Sequence, residues 1–307
     1  MMARRRRGRS VDGVLLLDKP KGLSSNRALQ RARGMFQAAK AGHTGTLDPM
    51  ATGLLPICFG EATKFSSFAL DADKRYLARV QLGTTTDSGD AEGVVLEERP
   101  IPALDEAGIE CVLARFRGEI EQIPPMFSAL KHQGRPLYEL AREGREIERA
   151  PRRVTIYHTR LVSLDADAGW FDLEVDCSKG TYIRTLGMDI GAALGCGAHL
   201  SALRRLRTGP FEAGAMLGLD ALEALGEERD VRLLPVDALI AHLPRLETDE
   251  PTALLLNQGR RIRCATGSHA PGTMARLYCD ERLLGLVTVT EEGELAPRRL
   301  LRDAANG

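Results

Sequence analysis

The 307-residue chain holds no apolar run near the ~20 residues that a membrane-crossing helix requires. It also lacks a secretory leader. After Arg4 to Arg7 and Arg9, the short apolar stretch is bounded by Asp12, Asp18 and Lys19, and no small-residue cleavage site follows. The expectation is a soluble, cytoplasmic protein with no membrane association. The six cysteines, Cys58, Cys111, Cys177, Cys196, Cys264 and Cys279, include no C-x-x-C pair. They are too sparse over this length for a disulfide scaffold, so they read as reduced thiols. The six histidines are not spaced with them as ligand sets, which argues against structural zinc and leaves no metal expected. There is no internal repeat and no low-complexity tract. What remains is an ordinary globular composition, 43% hydrophobic and 27% charged, long enough for about two domains.

Net charge is absent too, with 42 basic and 42 acidic residues, so composition alone names no polyanionic partner. The distribution is uneven. From Lys19 to Lys64 seven basic residues face only Asp48 and Glu61. Lys131 to Arg153 carries seven basic and four acidic residues, and Cys177 to Gly209 five basic against Asp189 alone. Between Phe211 and Glu250 the balance inverts to ten acidic and three basic. Separated basic blocks that converge on one face are the footprint of a nucleic-acid site, although charge blocks are also ordinary solvated surface.

Local patterns give a coarse map. Val14 to Leu17 is a short strand ended by the Pro20-Lys21-Gly22 turn. Ser24 or Ser25 caps a helix over 26–35. Tyr76, Ala78, Val80 and Leu82 alternate onto one strand face, as do Phe171, Leu173, Val175 and Cys177. Leu104 to Phe116 has helical spacing, and a helix through Leu186, Ile190 and Leu194 is closed by Gly195 and Gly197. The acidic segment 221–241 reads as helical. After Pro251 short β-runs, 275–279 and 284–289, suggest a small β-rich unit. The class is α+β with a mixed, mainly antiparallel sheet flanked by helices. A basic N-terminal arm spans 1–10, the main domain 11–248 and the C-terminal unit 249–307.

One segment stands apart. Gly42 to Gly53 packs three Gly, three Thr, one His, one Asp and one Pro into twelve positions, which reads as a loop rather than regular structure. It lacks the G-K-[ST] end of a phosphate-binding loop. Asp48 is its only carboxylate. Either the loop holds that carboxylate rigidly for chemistry, or Asp48 caps its own turn. His43 could meet a base or phosphate, or serve the turn.

The segment G-H-T-G-T-L-D-P-M-A-T-G over 42–53 resembles the signature loop of the TruB family of tRNA pseudouridine synthases. Further blocks match that family in order over about 20–210: K-P-K-G at 19–22, K-R-Y-L-A at 74–78, P-P-M-F-S-A-L-K at 124–131 with G-R-P-L-Y at 134–138, G-T-Y-I-R-T-L at 180–186, and G-A-H-L at 197–200 running on to Leu203-Arg204-Arg205. The resemblance implies the pseudouridine synthase fold with a small PUA-like RNA-binding domain at the C-terminus. It implies an isomerase that converts the T-loop uridine of tRNA (position 55) to pseudouridine by base flipping, with no cofactor. Asp48 would be the catalytic carboxylate, Arg184 its ion-pair partner keeping it ionised, and Tyr76 the residue stacked on the extruded uracil. Tyr182 and Leu203 would line the pocket, His43 would help the flip, and Lys19 and Lys64 would meet phosphate or hold the site together. A disordered basic insertion over about 124–153 would order on RNA. The tRNA T arm is the partner, no other protein is required, and the family default is a monomer. Rivals are a guide-RNA-dependent relative and a tRNA-folding chaperone.

Overall fold

The computed structural model describes residues 8–263 and 269–302. The arm residues Arg4 to Arg7 and Cys264 therefore lie outside the described residues. Arg9 lies inside them and forms an ion pair with Asp230.

The short apolar runs pair into a ten-stranded sheet. Across it the strands run Leu217–Gly218, Gly13–Lys19, Thr52–Phe59, Ala198–Thr208, Lys74–Leu82, Trp170–Cys177, Arg152–Asp165 and Gly118–Gln122, with Ala41–His43 added beside Thr52–Phe59 and Phe211–Glu212 beside Ala198–Thr208. Most pairings are antiparallel. The parallel exceptions set Leu17 opposite Leu217 and Arg205 opposite Gly53. The alternation read in the sequence is present throughout Lys74–Leu82, where Tyr76, Ala78, Val80 and Leu82 face the core. The helices Ser25–Met35, Glu106–Ala114 and Ile183–Ala193 contribute Ala28, Leu29, Ala32, Ile109, Leu113, Leu186 and Ile190 to that core. The Gly13–Lys19 strand is buried on both sides. Leu15 and Leu17 enter this core, while Val14 and Leu16 enter a second one with Phe65, Leu239 and Ile240.

A separate five-stranded sheet follows, in the order Arg245–Glu247, Met274–Cys279, Arg282–Val289, Glu294–Leu300 and Ile262–Arg263. Leu286 of this unit packs into the second core, which joins the two sheets. The β-rich reading of the tail holds, but a helix, Glu250–Asn257 capped by Asp249, lies within it.

Two local expectations change. The 42–53 segment is not loop throughout, because Gly42 pairs with Cys58 and His43 with Ile57, and Thr52 and Gly53 already belong to the next strand. The 221–241 segment is not one helix: Gly226 takes a left-handed φ of 54°, leaving a short α-helix Leu219–Ala224 and 3-10 turns. The 124–153 insertion contains short regular elements. It forms a Lys131–His132/Arg135–Pro136 hairpin and a Leu137–Arg142 helix, anchored by buried Leu137 and Leu140.

Candidate active site

The loop bearing Asp48 is clamped from three directions. Of the two candidate cap residues, Ser24 caps the helix by accepting from the Arg27 N–H at 3.3 Å. Ser25 instead turns inward, where its hydroxyl accepts from the Leu47 N–H at 2.7 Å and donates to the Leu47 carbonyl at 3.0 Å. Lys19 is fully buried, and its Nζ donates to the carbonyls of Pro20, Leu23 and Pro49 at 3.0, 2.6 and 3.3 Å. On the far side, Arg205, 1% exposed, donates from Nε to Leu54 O at 2.7 Å and from Nη2 to Gly45 O at 3.1 Å. Gly53 allows this approach: with φ at 96°, a Cβ there would sit 2.3 Å from the Arg205 carbonyl. Asp48 is thereby fixed by bonds to both neighbours of its peptide, Leu47 and Pro49.

Arg184 meets Asp48 from the start of the Ile183–Ala193 helix. Its Nε donates to Asp48 Oδ2 at 2.9 Å, its Nη1 to Ser88 O at 2.6 Å and its Nη2 to Phe127 O at 2.6 Å. Asp90 lies 3.6 Å from the same Nε and is itself held by the Ser88 hydroxyl at 2.6 Å. Burial pushes the Asp48 carboxyl above its ordinary value. Arg184 pulls it back, Asp90 adds to the rise and Lys19 opposes it more weakly. The expected ion pair is present, but the enclosure outweighs it. Burial likewise pushes the Lys19 ammonium down to about 8, although Asp48 favours its charged form.

Asp48 and Arg184 open onto a pocket of about 330 Å³ that Tyr76, Tyr182, Leu203, Lys74 and Ser128 also line. Tyr76 pairs with Val175 on one side and Arg205 on the other. Burial raises its hydroxyl pKa, and the neighbouring Arg205 charge offsets part of the rise. Tyr182 is gripped by the Gln122 amide, which accepts from its N–H at 3.1 Å and donates to its carbonyl at 3.3 Å. Lys74 caps the carbonyls of Leu70 and Ala72, and burial lowers its pKa to about 8. His43 stands on the strand leading to the loop. Its Nδ1 is buried without a hydrogen-bond partner among the described residues, and burial, then Arg205, lowers its pKa.

Thus the structure brings Asp48, Arg184, Tyr76, Tyr182 and Leu203 together around one cavity, with Lys19 beneath the loop and His43 beside it. Lys64 does not join them. Its Nζ donates to Glu61 at 2.6 Å and to the Leu300 carbonyl at 2.7 Å, so it ties the main sheet to the C-terminal unit instead of the loop. Ser25, Asp90, Gln122 and Arg205 complete the arrangement, although the sequence named none of them as a site residue. Among the described residues no three His, Cys, Asp or Glu side chains converge as a metal site.

Comparison with known proteins bears on the family and the fold. Residues 33–183 match the sequence model for the TruB family pseudouridylate synthase N-terminal domain. Residues 184–241 match the tRNA pseudouridylate synthase B C-terminal domain, and residues 244–301 the C-terminal domain of pseudouridine synthase II TruB. The chain is 64% identical over 305 residues to the tRNA pseudouridine synthase B of Chromohalobacter salexigens, covering 99% of each. It is 57% identical over 294 residues to that of Azoarcus sp., covering 95% of this chain and 96% of the relative. Its fold is similar to a chain in a crystal structure of a Cbf5-Nop10-Gar1 complex, with TM-score 0.70 and 25% identity over 94% of this chain and 84% of that one. With the signature loop, the arginine that meets its aspartate and the domain order all in agreement, the chain belongs to the TruB family of pseudouridine synthases.

Proposed function

We propose that this protein isomerises the T-loop uridine of tRNA, position 55, to pseudouridine as a stand-alone enzyme. The observation that carries the reading is a single half-buried carboxylate, Asp48, bound by Arg184 at 2.9 Å beside a pocket lined by Tyr76, Tyr182 and Leu203. Identity to tRNA pseudouridine synthase B along almost the whole chain gives the substrate class.

The reaction breaks the uridine C1′–N1 bond and forms a C1′–C5 bond. The hydrogen on C5 leaves as a proton and N1 takes one up, so substrate and product are isomers and the balance needs neither redox partner nor group donor. A uridine stacked inside a folded loop cannot reach Asp48, so it must be extruded. Asp48 acts as an anion, by attack on the sugar or by removal of a sugar proton. The Arg184 guanidinium favours that anion against the enclosure that opposes it. Tyr76 supplies the stacking face, Tyr182 and Leu203 the walls, and His43 fills space left by the flipped base. Lys19 acts by holding the Asp48 loop through its three carbonyl contacts.

The basic insertion over about 124–153 serves as an RNA clamp, its charge directed at the phosphate backbone. The C-terminal unit from about 249 adds an RNA-binding surface of PUA type. The protein works on the T arm as a monomer and needs neither cofactor nor metal.

An unmodified tRNA transcript incubated with protein and excess EDTA, then mapped by carbodiimide primer extension, tests this. A single stop at the T-loop uridine, lost with Asp48→Asn while tRNA binding persists, is the expected result. Tight binding without modification overturns it in favour of a guide-dependent enzyme or a tRNA-folding chaperone.

A further inference from the structure

Among the described residues, the pocket beside Asp48 contains one buried side-chain polar atom with no hydrogen-bond partner. Ser128 is 5% exposed, lines the pocket, and its Oγ has no hydrogen-bond partner among the described residues. Its neighbours are committed. Arg184 and Asp48 hold each other, Arg205 and Lys74 cap carbonyls, Thr181 donates to Ser178 O at 2.9 Å, and the Ser178 hydroxyl accepts from the Thr155 N–H at 2.9 Å. The Ser128 backbone is committed too. Its N–H donates to Met126 O at 2.9 Å, and its carbonyl accepts from the Tyr138 N–H at 3.1 Å. The preceding carbonyl, Phe127 O, accepts from Arg184 Nη2 at 2.6 Å. The hydroxyl is therefore carried on fixed backbone and enclosed without a partner, an unfavourable state that a buried polar group normally escapes by bonding.

We propose that Ser128 Oγ hydrogen-bonds the extruded uridine, which makes it a substrate-binding residue of this pocket; the proposal rests on the synthase reading above. A serine hydroxyl both donates and accepts, so the nucleoside can meet it with its ribose 2′-hydroxyl or a uracil carbonyl. The ribose is favoured by placement. Asp48 and Phe127 O occupy neighbouring nitrogens, Nε and Nη2, of one guanidinium, so the Ser128 segment lies alongside the carboxylate that works at the sugar.

The test compares wild type with Ser128→Ala on T-arm transcripts. On the uridine transcript, the alanine variant loses about tenfold in kcat/KM, the size of one hydrogen bond to a neutral group. It melts at the wild-type temperature or above, since no internal bond is broken. Affinities are then measured in an Asp48→Asn background for transcripts with uridine, 2′-deoxyuridine, 2-thiouridine or 4-thiouridine at the target. A Ser128→Ala penalty that vanishes only on 2′-deoxyuridine assigns the ribose contact. One that vanishes only on a thio analogue assigns the base contact. An unchanged kcat/KM, an equal affinity loss on every transcript, or a lowered melting temperature overturns the proposal. If the wild type leaves the uridine transcript unmodified, the synthase reading falls and the Ser128 contact with it; an active wild type with an indifferent variant overturns the contact alone.

Discussion

Arginine–carboxylate pairs occur in two settings in this molecule, and the same two groups behave oppositely in them. On the partly solvated face of the large sheet they form a ladder: Arg79 with Asp172 at 2.8 Å, Asp176 between Arg75 at 3.0 Å and Arg207 at 2.8 Å, and Arg160 with Glu174 at 3.2 Å. There Arg79, stacked 3.7 Å over Trp170, holds Asp172 below its ordinary value. At the pocket, Arg184 approaches Asp48 just as closely, yet Asp48 rises, because burial and Asp90 together outweigh the guanidinium. The arginines differ in exposure, 40% for the Arg79 side chain and 3% for that of Arg184, while the carboxylates differ the other way, 17% for Asp172 and 34% for Asp48. What sets the pocket pair apart is the buried guanidinium and the second carboxylate, Asp90, 3.6 Å from its Nε, not the withdrawal of both partners from water.

The linkage signs follow. Asp172, with a folded pKa below its unfolded one, contributes stability that is present above the unfolded pKa and lost as pH falls through the folded value. Asp48, with its folded pKa raised, opposes folding while ionised, and that opposition is relieved as pH falls through the raised value. In the proposed reaction, which uses the anion, activity should run the other way and show an acid limb above the ordinary carboxylate range.

The contrast is most sharply broken by Arg184→Met. It strands Asp48 and Asp90 without their cation and leaves the Ser88 and Phe127 carbonyls without donors. Chemical denaturation should show a loss of about 3–5 kcal/mol, and single-turnover assays a fall of at least ~10²-fold. Ser25→Ala comes next. It unpairs both the N–H and the carbonyl of Leu47, for about 1–3 kcal/mol in the same denaturation assay. Because this loosens the residue before Asp48, kcat should drop while the tRNA Kd stays unchanged. Asp90→Asn removes the like charge that helps raise Asp48, so the acid limb of the pH–rate profile should move to lower pH. A limb that stays in place would exclude Asp90 from setting that pKa. The smallest effect belongs to the ladder. Arg79→Met should cost under about 1 kcal/mol, diminish further with added salt, and leave turnover unchanged.

The part of this arrangement that was readable in the sequence is the part encoded in contiguous segments. Tyr76 on its alternating strand and the 183–193 helix follow from local periodicity. Asp48 and Arg184 follow from two short motifs that resemble one family. What escaped depends on long-range assembly. Ser24 and Ser25 are interchangeable as cap candidates until the packing of Leu47 separates them. Arg205 appears as one of several charges in a basic block, and only the parallel pairing with Gly53 buries it. Asp90 and Gln122 sit in segments with no motif of their own. Lys64 is the reverse case: the family resemblance gives it a place by phosphate or at the site, while its contacts are Glu61 and Leu300, the latter from the far end of the chain.

The bond between Arg184 and Asp48 spans 136 positions of sequence. During synthesis the chain emerges from its N-terminus, so the loop, its serine clamp and Lys19 are all out before the arginine exists. For that interval the carboxylate has no guanidinium to meet and the pocket has only part of its wall. A truncated product ending before residue 184 would carry the signature loop without the guanidinium that meets its carboxylate.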